Sequence, residues 1–162
     1  MTRAAVALGA NLGDRAATLA AATDAVAALP DVRVIAVSSM YATRAVGGPP
    51  DQPPYLNAVL TLETQLSAQD LLAALHRIEN AHGRVRQVRW GPRTLDLDLL
   101  AYDALVCDGP ELTLPHPRAH RRAFVLVPWA EVDPTFDVAG LATVEHLLAA
   151  LPAAQRASVR PA

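Results

Sequence analysis

The sequence contains no lysine, and all 14 of its basic residues are arginine. It has one cysteine, Cys107, and aromatic residues make up only 4% of its 162 positions. A single thiol excludes an internal disulfide and any zinc cluster built from several cysteines. With an ordinary polar flank and no activating neighbour, Cys107 reads as a bystander rather than a nucleophile. No apolar run approaches the ~20 residues that a membrane-spanning helix requires. The N-terminal stretch "MTRAAVALGANLGDR" has no long apolar core of the secretory kind. The chain is therefore expected in a reducing compartment, the cytoplasm, without membrane contact. Positive charge is not in excess either. Sixteen acidic residues against 14 basic ones give a net charge of −2, the wrong balance for a surface that coats nucleic acid. Uniform arginine usage suits a GC-rich coding sequence, so only arginines in unusual places carry information.

What is present is globular: 52% apolar and 19% charged residues, enough chain for one domain with a sizeable core. The whole of residues 1–162 is expected to form that domain. A strand is predicted over Thr2 to Leu8, ending in the turn "GANLGD" with Gly9, Asn11 and Gly13. Asp14 is positioned to cap a helix over Arg15 to Ala28, which Pro30 stops. Alternation and β-branched residues predict a second strand from Val32 to Tyr41. The segment "TRAVGGPPDQPPY" is too rich in glycine and proline for a helix or central strand. A third strand follows over Tyr55 to Thr64. Ser67, with Asp70 three residues on, then opens a helix that ends near Gly83. "TLDLDLLAY" is the fourth strand. This order predicts an α+β, ferredoxin-like βαββαβ fold, an antiparallel sheet with two helices on one face. A C-terminal extension adds an extended piece near Leu105 to Cys107 and the loop "LTLPHPRAHRR". Beyond them lie a helix around Phe124 to Ala130, a helix capped by Thr143, and a frayed end, "QRASVRPA".

The informative charges lie between Gly83 and Asp103. Arg84, Arg86, Arg89 and Arg93 fall within ten residues, with no acid between Glu79 and Asp96. Such a cluster repels itself unless anions or nearby carboxylates neutralise it. Asp96 and Asp98 follow, alternating with Leu95, Leu97 and Leu99. Residues two apart on a strand point to one face, roughly 6.5–7 Å apart at Cα, while the leucines face the core. Paired carboxylates repel unless a cation or proton intervenes. Magnesium suits them, because it takes hard oxygen ligands and shares them with substrate phosphates. Metal-binding acids beside phosphate-binding guanidiniums point to a nucleoside triphosphate site. An isolated D-x-D could equally be the solvated face of a strand.

"RWGPRTLDLDLL" resembles the signature of the 6-hydroxymethyl-7,8-dihydropterin pyrophosphokinase family of folate biosynthesis. The likeness continues through "ALGANLGDR", "SSMYATRAVGG", "DQPPYLNAVLTLET", "LLAALHRIENAHGRVR" and "LTLPHPRAHRRAFVLVPWAEV", in the family's order. The resemblance implies an enzyme that moves the β,γ-pyrophosphate of ATP onto the pterin hydroxymethyl group and releases AMP. It implies that Asp96 and Asp98 hold two magnesium ions (Mg2+) bridging the triphosphate. Arg84 and Arg93 resemble phosphate clamps, Arg86 and Arg89 would steer or close over ATP, and Trp90 would sit on a lid. Tyr55 and Phe124 match the rings that sandwich the pterin, Asn57 would read its edge, and Thr43 and the backbone around Ala45 would add hydrogen bonds. Glu79, Leu99, Thr113 and His116 would line the adenine side, with Arg122 near the phosphates or the closing lid. The chain departs from relatives at His76, where some carry glutamine, and at Arg44, where others carry proline or an acid. The expected partners are ATP and 6-hydroxymethyl-7,8-dihydropterin, with no nucleic acid and no membrane, for a monomer. Two alternatives stay open on the residues alone. One is an RNA-binding module on the same fold, disfavoured by the lack of aromatic pairs on a sheet face. The other is nucleotidyl transfer at the same metal and phosphate site.

Overall fold

A computed structural model describes residues 1–43, 54–82 and 94–162. The main sheet is built from β1 (Thr2–Ala10), β2 (Val32–Val37), β3 (Tyr41–Thr43), β4 (Tyr55–Thr64) and β5 (Asp96–Tyr102), with α1 (Arg15–Ala27) and α2 (Ala68–Ala81) between them. Both helices begin where the sequence predicts. The Asp14 side chain accepts from Ala17 N at 3.1 Å, and the Ser67 hydroxyl accepts from Asp70 N at 3.1 Å. β1 lies at the centre, antiparallel to β4 on one side and β5 on the other. β2 and β3 both pair with β4, antiparallel. This is the predicted ferredoxin-like arrangement.

The sheet separates two apolar layers. Val6, Leu8, Leu60, Leu97 and Leu99 pack against Leu19, Leu71 and Leu75 of the two helices. The alternating leucines of β5 thus face the helices, as their spacing requires. Ala5, Val59 and Leu100 lie in the second layer, beneath α3 (Ala123–Val132). Here Trp129 is fully buried, its ring 5.6 Å from that of Phe136. Burying each such side chain stabilises the fold by about 1.5–3 kcal/mol. The hairpin β6 (Cys107–Asp108) with β7 (Thr113–Leu114) adds Leu112 and Leu114 to the helix-side layer, whereas the hairpin β8 (Asp137–Val138) with β9 (Ala142–Thr143) and the helices α4 (Val144–Ala149) and α5 (Ala153–Ala157) flank the second. Thr143 caps α4, accepting from His146 N at 3.3 Å.

Three expectations need correction. The first strand does not stop at Leu8 but runs through Gly9 to Ala10, so Gly9 belongs to the sheet and not to the turn. The strand predicted over Val32 to Tyr41 is broken into β2 and β3. At the break the Ser38 hydroxyl takes the N–H of Val59 at 2.9 Å, and Ser39 N donates to the Glu131 carboxylate at 2.7 Å instead of to β4. The C-terminus is not frayed. Beyond α5, β10 (Arg160–Pro161) pairs with β3, Ala162 N donates to Met40 O at 3.0 Å, and Val159 is buried. Proline is tolerated there because an edge strand needs no further ladder donor from it.

Glu131 therefore fastens α3 to β3. Its carboxylate accepts from Ser39 N, the Ser39 hydroxyl and the Tyr41 hydroxyl. The bond to Glu131 acts most in pushing the Tyr41 hydroxyl up to about 12, with burial and the Glu131 charge adding to it. Burial pushes the Glu131 carboxyl up, but the bonds from Tyr41 and Ser39 outweigh it and hold the group below the usual carboxylate value. The Glu131→Ala change should lower stability by on the order of 1 kcal/mol, a charge-assisted contact discounted for solvent exposure. Glu131 ionises more readily in the folded chain, so its contribution is present above pH 4.5 and lost as pH falls further. Tyr41 ionises less readily, so its contribution is complete below pH 10 and lost as pH rises towards about 12. Urea denaturation of the wild type and the variant at pH 3.5, 7 and 11 reads both. The difference should be largest at pH 7, and a constant difference would show that the contact does not titrate.

Candidate active site

In an antiparallel ladder, directly paired residues project from the same side of the sheet. Gly9 of β1 is paired with Asn57 of β4 and with Asp96 of β5, and Ala7 with Val59 and Asp98. Asn57, Gly9 and Asp96 thus form one row across three strands, with Val59, Ala7 and Asp98 as the next. Asn57 and Asp96 stand two strand spacings apart, about 10 Å. The two positions between the amide and the acids carry a hydrogen and a methyl group, and this leaves a floor.

Above this floor is a cavity of about 550 Å3, within the usual range for a small-molecule site. Thr43, Tyr55 and Asn57 line it at one end, Asp96 and Asp98 at the other, and Arg122 and Phe124 come from α3 and the residue before it. Seven of the residues singled out in the sequence are thereby brought together from four separate stretches. Thr43 and Asn57 are buried, and Asn57 Nδ2 donates to Thr43 Oγ1 at 2.7 Å. The bond fixes the amide, leaving its Oδ1 as the acceptor on the floor side. The Arg122 guanidinium lies 5.5 Å from the centre of the Phe124 ring, a cation–π contact that positions both.

Charge is arranged across the acidic end. Burial lowers the basicity of Arg122, the Asp98 and Asp96 carboxylates oppose this, and the Arg118 charge adds to the lowering. Burial likewise lowers the pKa of His116, with Asp98 opposing and Arg122 and Arg118 reinforcing. His116 Nδ1 accepts from Arg118 N at 3.2 Å, so a neutral ring carries its proton on Nε2. Asp96 and Asp98 are hard oxygen donors on one strand face, with two guanidiniums nearby. Among the described residues no group of three or more His, Cys, Asp or Glu is placed to hold a metal ion unaided. Two carboxylates fit magnesium, which fills its octahedron with water and substrate phosphate, better than a metal that demands an all-protein cage.

The other sequence-derived candidates are placed differently. Glu79 is buried in α2, and its Oε2 accepts from Leu97 N at 2.9 Å, closing a donor on the outer edge of β5. The Leu99 side chain is in the helix-side core. Thr113 stands in the β6–β7 hairpin, its hydroxyl donating to Gly109 O at 3.3 Å. Ala45, Arg84, Arg86, Arg89, Trp90 and Arg93 lie outside the described residues. Six lining residues, Ala7, Leu8, Gly9, Ala58, Arg118 and Val125, were missed by sequence reasoning. Arg118 is in the same "LPHPR" stretch that singled out His116, so the signal was present. Gly9 was read as a turn residue, and nothing local reveals that its strand continues.

The sequence profile of the 7,8-dihydro-6-hydroxymethylpterin-pyrophosphokinase (HPPK) family matches residues 5–134. The chain is 46% identical over 151 residues to the 2-amino-4-hydroxy-6-hydroxymethyldihydropteridine pyrophosphokinase of Methylorubrum extorquens, covering 93% of this chain and 94% of that protein. The protein of the same name from Pseudomonas aeruginosa is 46% identical over 147 residues, with 91% and 90% covered. That from Mycobacterium bovis is 45% identical over 173 residues, with 99% and 89% covered. Among solved structures, an HPPK-DHPS crystallised in complex with substrates superposes with a TM-score of 0.68 at 10% identity, covering 91% of this chain and 43% of that one. Plasmodium falciparum HPPK-DHPS with pterin and p-hydroxybenzoate gives 0.68 at 13% identity, covering 91% and 42%. At such identity the likeness is one of fold, and this chain spans less than half the length of those two. Profile, sequence identity and fold agree, and the chain belongs to the 7,8-dihydro-6-hydroxymethylpterin-pyrophosphokinase family.

Proposed function

We propose that the chain transfers the β,γ-pyrophosphate of ATP to the hydroxymethyl oxygen of 6-hydroxymethyl-7,8-dihydropterin and releases AMP. Family membership makes it a pyrophosphokinase, a transferase whose family acts in folate biosynthesis. The observation that carries the finer reading is a cavity in which an oriented amide and two aromatic rings face a pair of carboxylates across a bare floor. A flat heterocycle with a polar rim needs stacking surfaces and an edge reader. Tyr55 and Phe124 supply the surfaces. Asn57, held by Thr43, supplies an acceptor of fixed direction.

In the transfer, a bond forms from the pterin hydroxyl oxygen to the β-phosphorus while the bond from that phosphorus to the α,β-bridging oxygen breaks. AMP departs, and the hydroxyl proton passes to solvent. The chain's part is alignment and charge neutralisation. Arg122 and Arg118 face the acidic end of the cavity, where the triphosphate's charge would lie. A guanidinium directed at developing phosphate charge contributes on the order of several kcal/mol in a water-excluded site. His116, neutral and with its proton on Nε2, is suited to donate to the nucleotide. Asp96 and Asp98 would hold two magnesium ions. Bound there, the metal would supply charge screening and shared oxygen coordination for the triphosphate. Arg84, Arg86, Arg89, Arg93 and Trp90 are assigned to ATP, Ala45 and again Trp90 to the pterin, and Glu79, Leu99 and Thr113 to the adenine side. These assignments rest on the family motif alone.

The same reading takes residues 1–162 as one pyrophosphokinase domain, a cytoplasmic monomer that uses neither nucleic acid nor a membrane. Among the described residues no helix is long and apolar enough to cross a membrane.

Asp96→Asn and Asp98→Asn should each lower kcat by about 10³-fold while the melting temperature stays within ~2 °C of the wild type. A coupled assay for AMP at saturating ATP and magnesium reads the rate. Wild-type turnover by either variant would contradict the assignment. Chromatography of the wild-type reaction distinguishes the rival chemistry. One AMP per ATP consumed is expected, whereas free pyrophosphate with a nucleotidylated pterin would establish nucleotidyl transfer.

A further inference from the structure

We propose that Gly9 is a specificity-determining residue of the pterin site: its missing side chain leaves the Asn57 carbonyl oxygen uncovered to accept from the N–H edge of the heterocycle. The inference rests on the assignment of this cavity to the pterin made above.

A glycine inside a strand weakens it relative to alanine, and often marks a place where a ligand or another backbone approaches closely. Gly9 lies inside β1, hydrogen-bonded into strands on both sides. Its backbone does not call for glycine. Gly13 and Gly140 have φ of +65° and +76°, in the left-handed region, and a Cβ at either would meet nothing within 4 Å. Those two are turn glycines, required by backbone conformation. Gly9 is not among the residues with positive φ, yet a Cβ there would stand 3.2 Å from Asn57 Oδ1. The constraint at position 9 is thus one of side-chain room, set by one atom of the proposed edge reader.

Asn57 is poorly able to give way. Its amide nitrogen donates to Thr43 Oγ1 at 2.7 Å, and both residues are buried. Turning the amide from a new methyl group would stretch or break that bond and leave buried polar atoms unmatched. Holding it in place would leave the methyl group over Oδ1, on the side from which a heterocycle N–H must approach. Either outcome weakens recognition of the heterocycle edge. Neither reaches the carboxylates directly, because Asp96 lies on the far side of Gly9 from Asn57.

The test is the kinetics and thermal stability of Gly9→Ala, Asn57→Ala and the double variant, as full-length chains with magnesium. Gly9→Ala should raise the KM for 6-hydroxymethyl-7,8-dihydropterin about 10- to 100-fold, by loss or distortion of one oriented hydrogen bond. The KM for ATP should stay within about twofold, and any fall in melting temperature should be relieved when Asn57→Ala removes the contact at Oδ1. Asn57→Ala should raise the pterin KM on its own, and adding Gly9→Ala to it should change little, because the two act through the same atom. An unchanged pterin KM in Gly9→Ala, with Asn57→Ala impaired, would overturn the inference and leave the pterin site standing. A destabilisation by Gly9→Ala that persists undiminished in the Asn57→Ala background would also overturn it, showing a backbone role. An unimpaired Asn57→Ala would instead remove the pterin assignment beneath it.

Discussion

The arrangement of this protein depends on the register of three strands. Because side chains alternate along a strand, moving β5 by one residue against β1 would exchange every residue between its two faces. Asp96 and Asp98 would then enter the helix-side layer, and Leu97 and Leu99 would line the cavity. Burying two unpaired carboxylates costs far more than the exposure of two leucines. The leucines of β5 packed beneath α1 and α2 therefore do more than fill a core. They hold the acids on the opposite side, in line with Gly9, Ala7 and Asn57. The same register that closes the hydrophobic layer assembles the polar site.

On that opposite face the sheet changes character along its length. Towards one end α3 covers it with Val125, Leu126 and Trp129 against Ala5, Val59 and Leu100. Towards the other the described residues leave it open, and the first turn of α3 brings Phe124 to the rim. Leu100 marks the change: β1 pairs Val6 with Leu99 and Ala5 with Ala101, so Leu100 sits at the bulge between them. The helix that covers the apolar end is also the one that Glu131 fastens to β3, the strand carrying Thr43. The aromatic wall and the amide's anchor are thus tied to one another through α3. Near the acidic end, partly buried Arg122 and His116 are held beside the carboxylates in a less polar setting than water, which strengthens attraction for a polyanion.

Much of this was legible in the sequence, and the reasons are local. Caps such as Asp14, Ser67 and Thr143 act within one helical turn, so their signals lie in neighbouring residues. The alternation of aspartate and leucine in β5 is likewise readable without knowing what lies opposite. The signature around Asp96 and Asp98 then named the chemistry through family likeness, which periodicity alone does not do. What was not legible depends on distant partners. The break between β2 and β3 is imposed by Glu131, far along the chain, which draws Ser39 out of the ladder. The C-terminal strand has no propensity signal of its own, and it forms because the edge of β3 accepts it. Gly9, two residues before Asn11 and four before Gly13, lies in a stretch with the composition of a turn. Only its pairing with Asn57 and Asp96 shows that it lies in the floor of the site.

The central claim is that the row from Asn57 through Gly9 to Asp96 holds a heterocycle at one end and a metal-bound triphosphate at the other. A crystal structure with magnesium, an unreactive ATP analogue and 6-hydroxymethyl-7,8-dihydropterin tests it most directly. The account predicts cations shared between the Asp96 and Asp98 carboxylates and the triphosphate, and the pterin between Tyr55 and Phe124 with an N–H directed at Asn57 Oδ1. Nucleotide bound with no cation at the two aspartates, or a pterin seated away from Asn57, would contradict it.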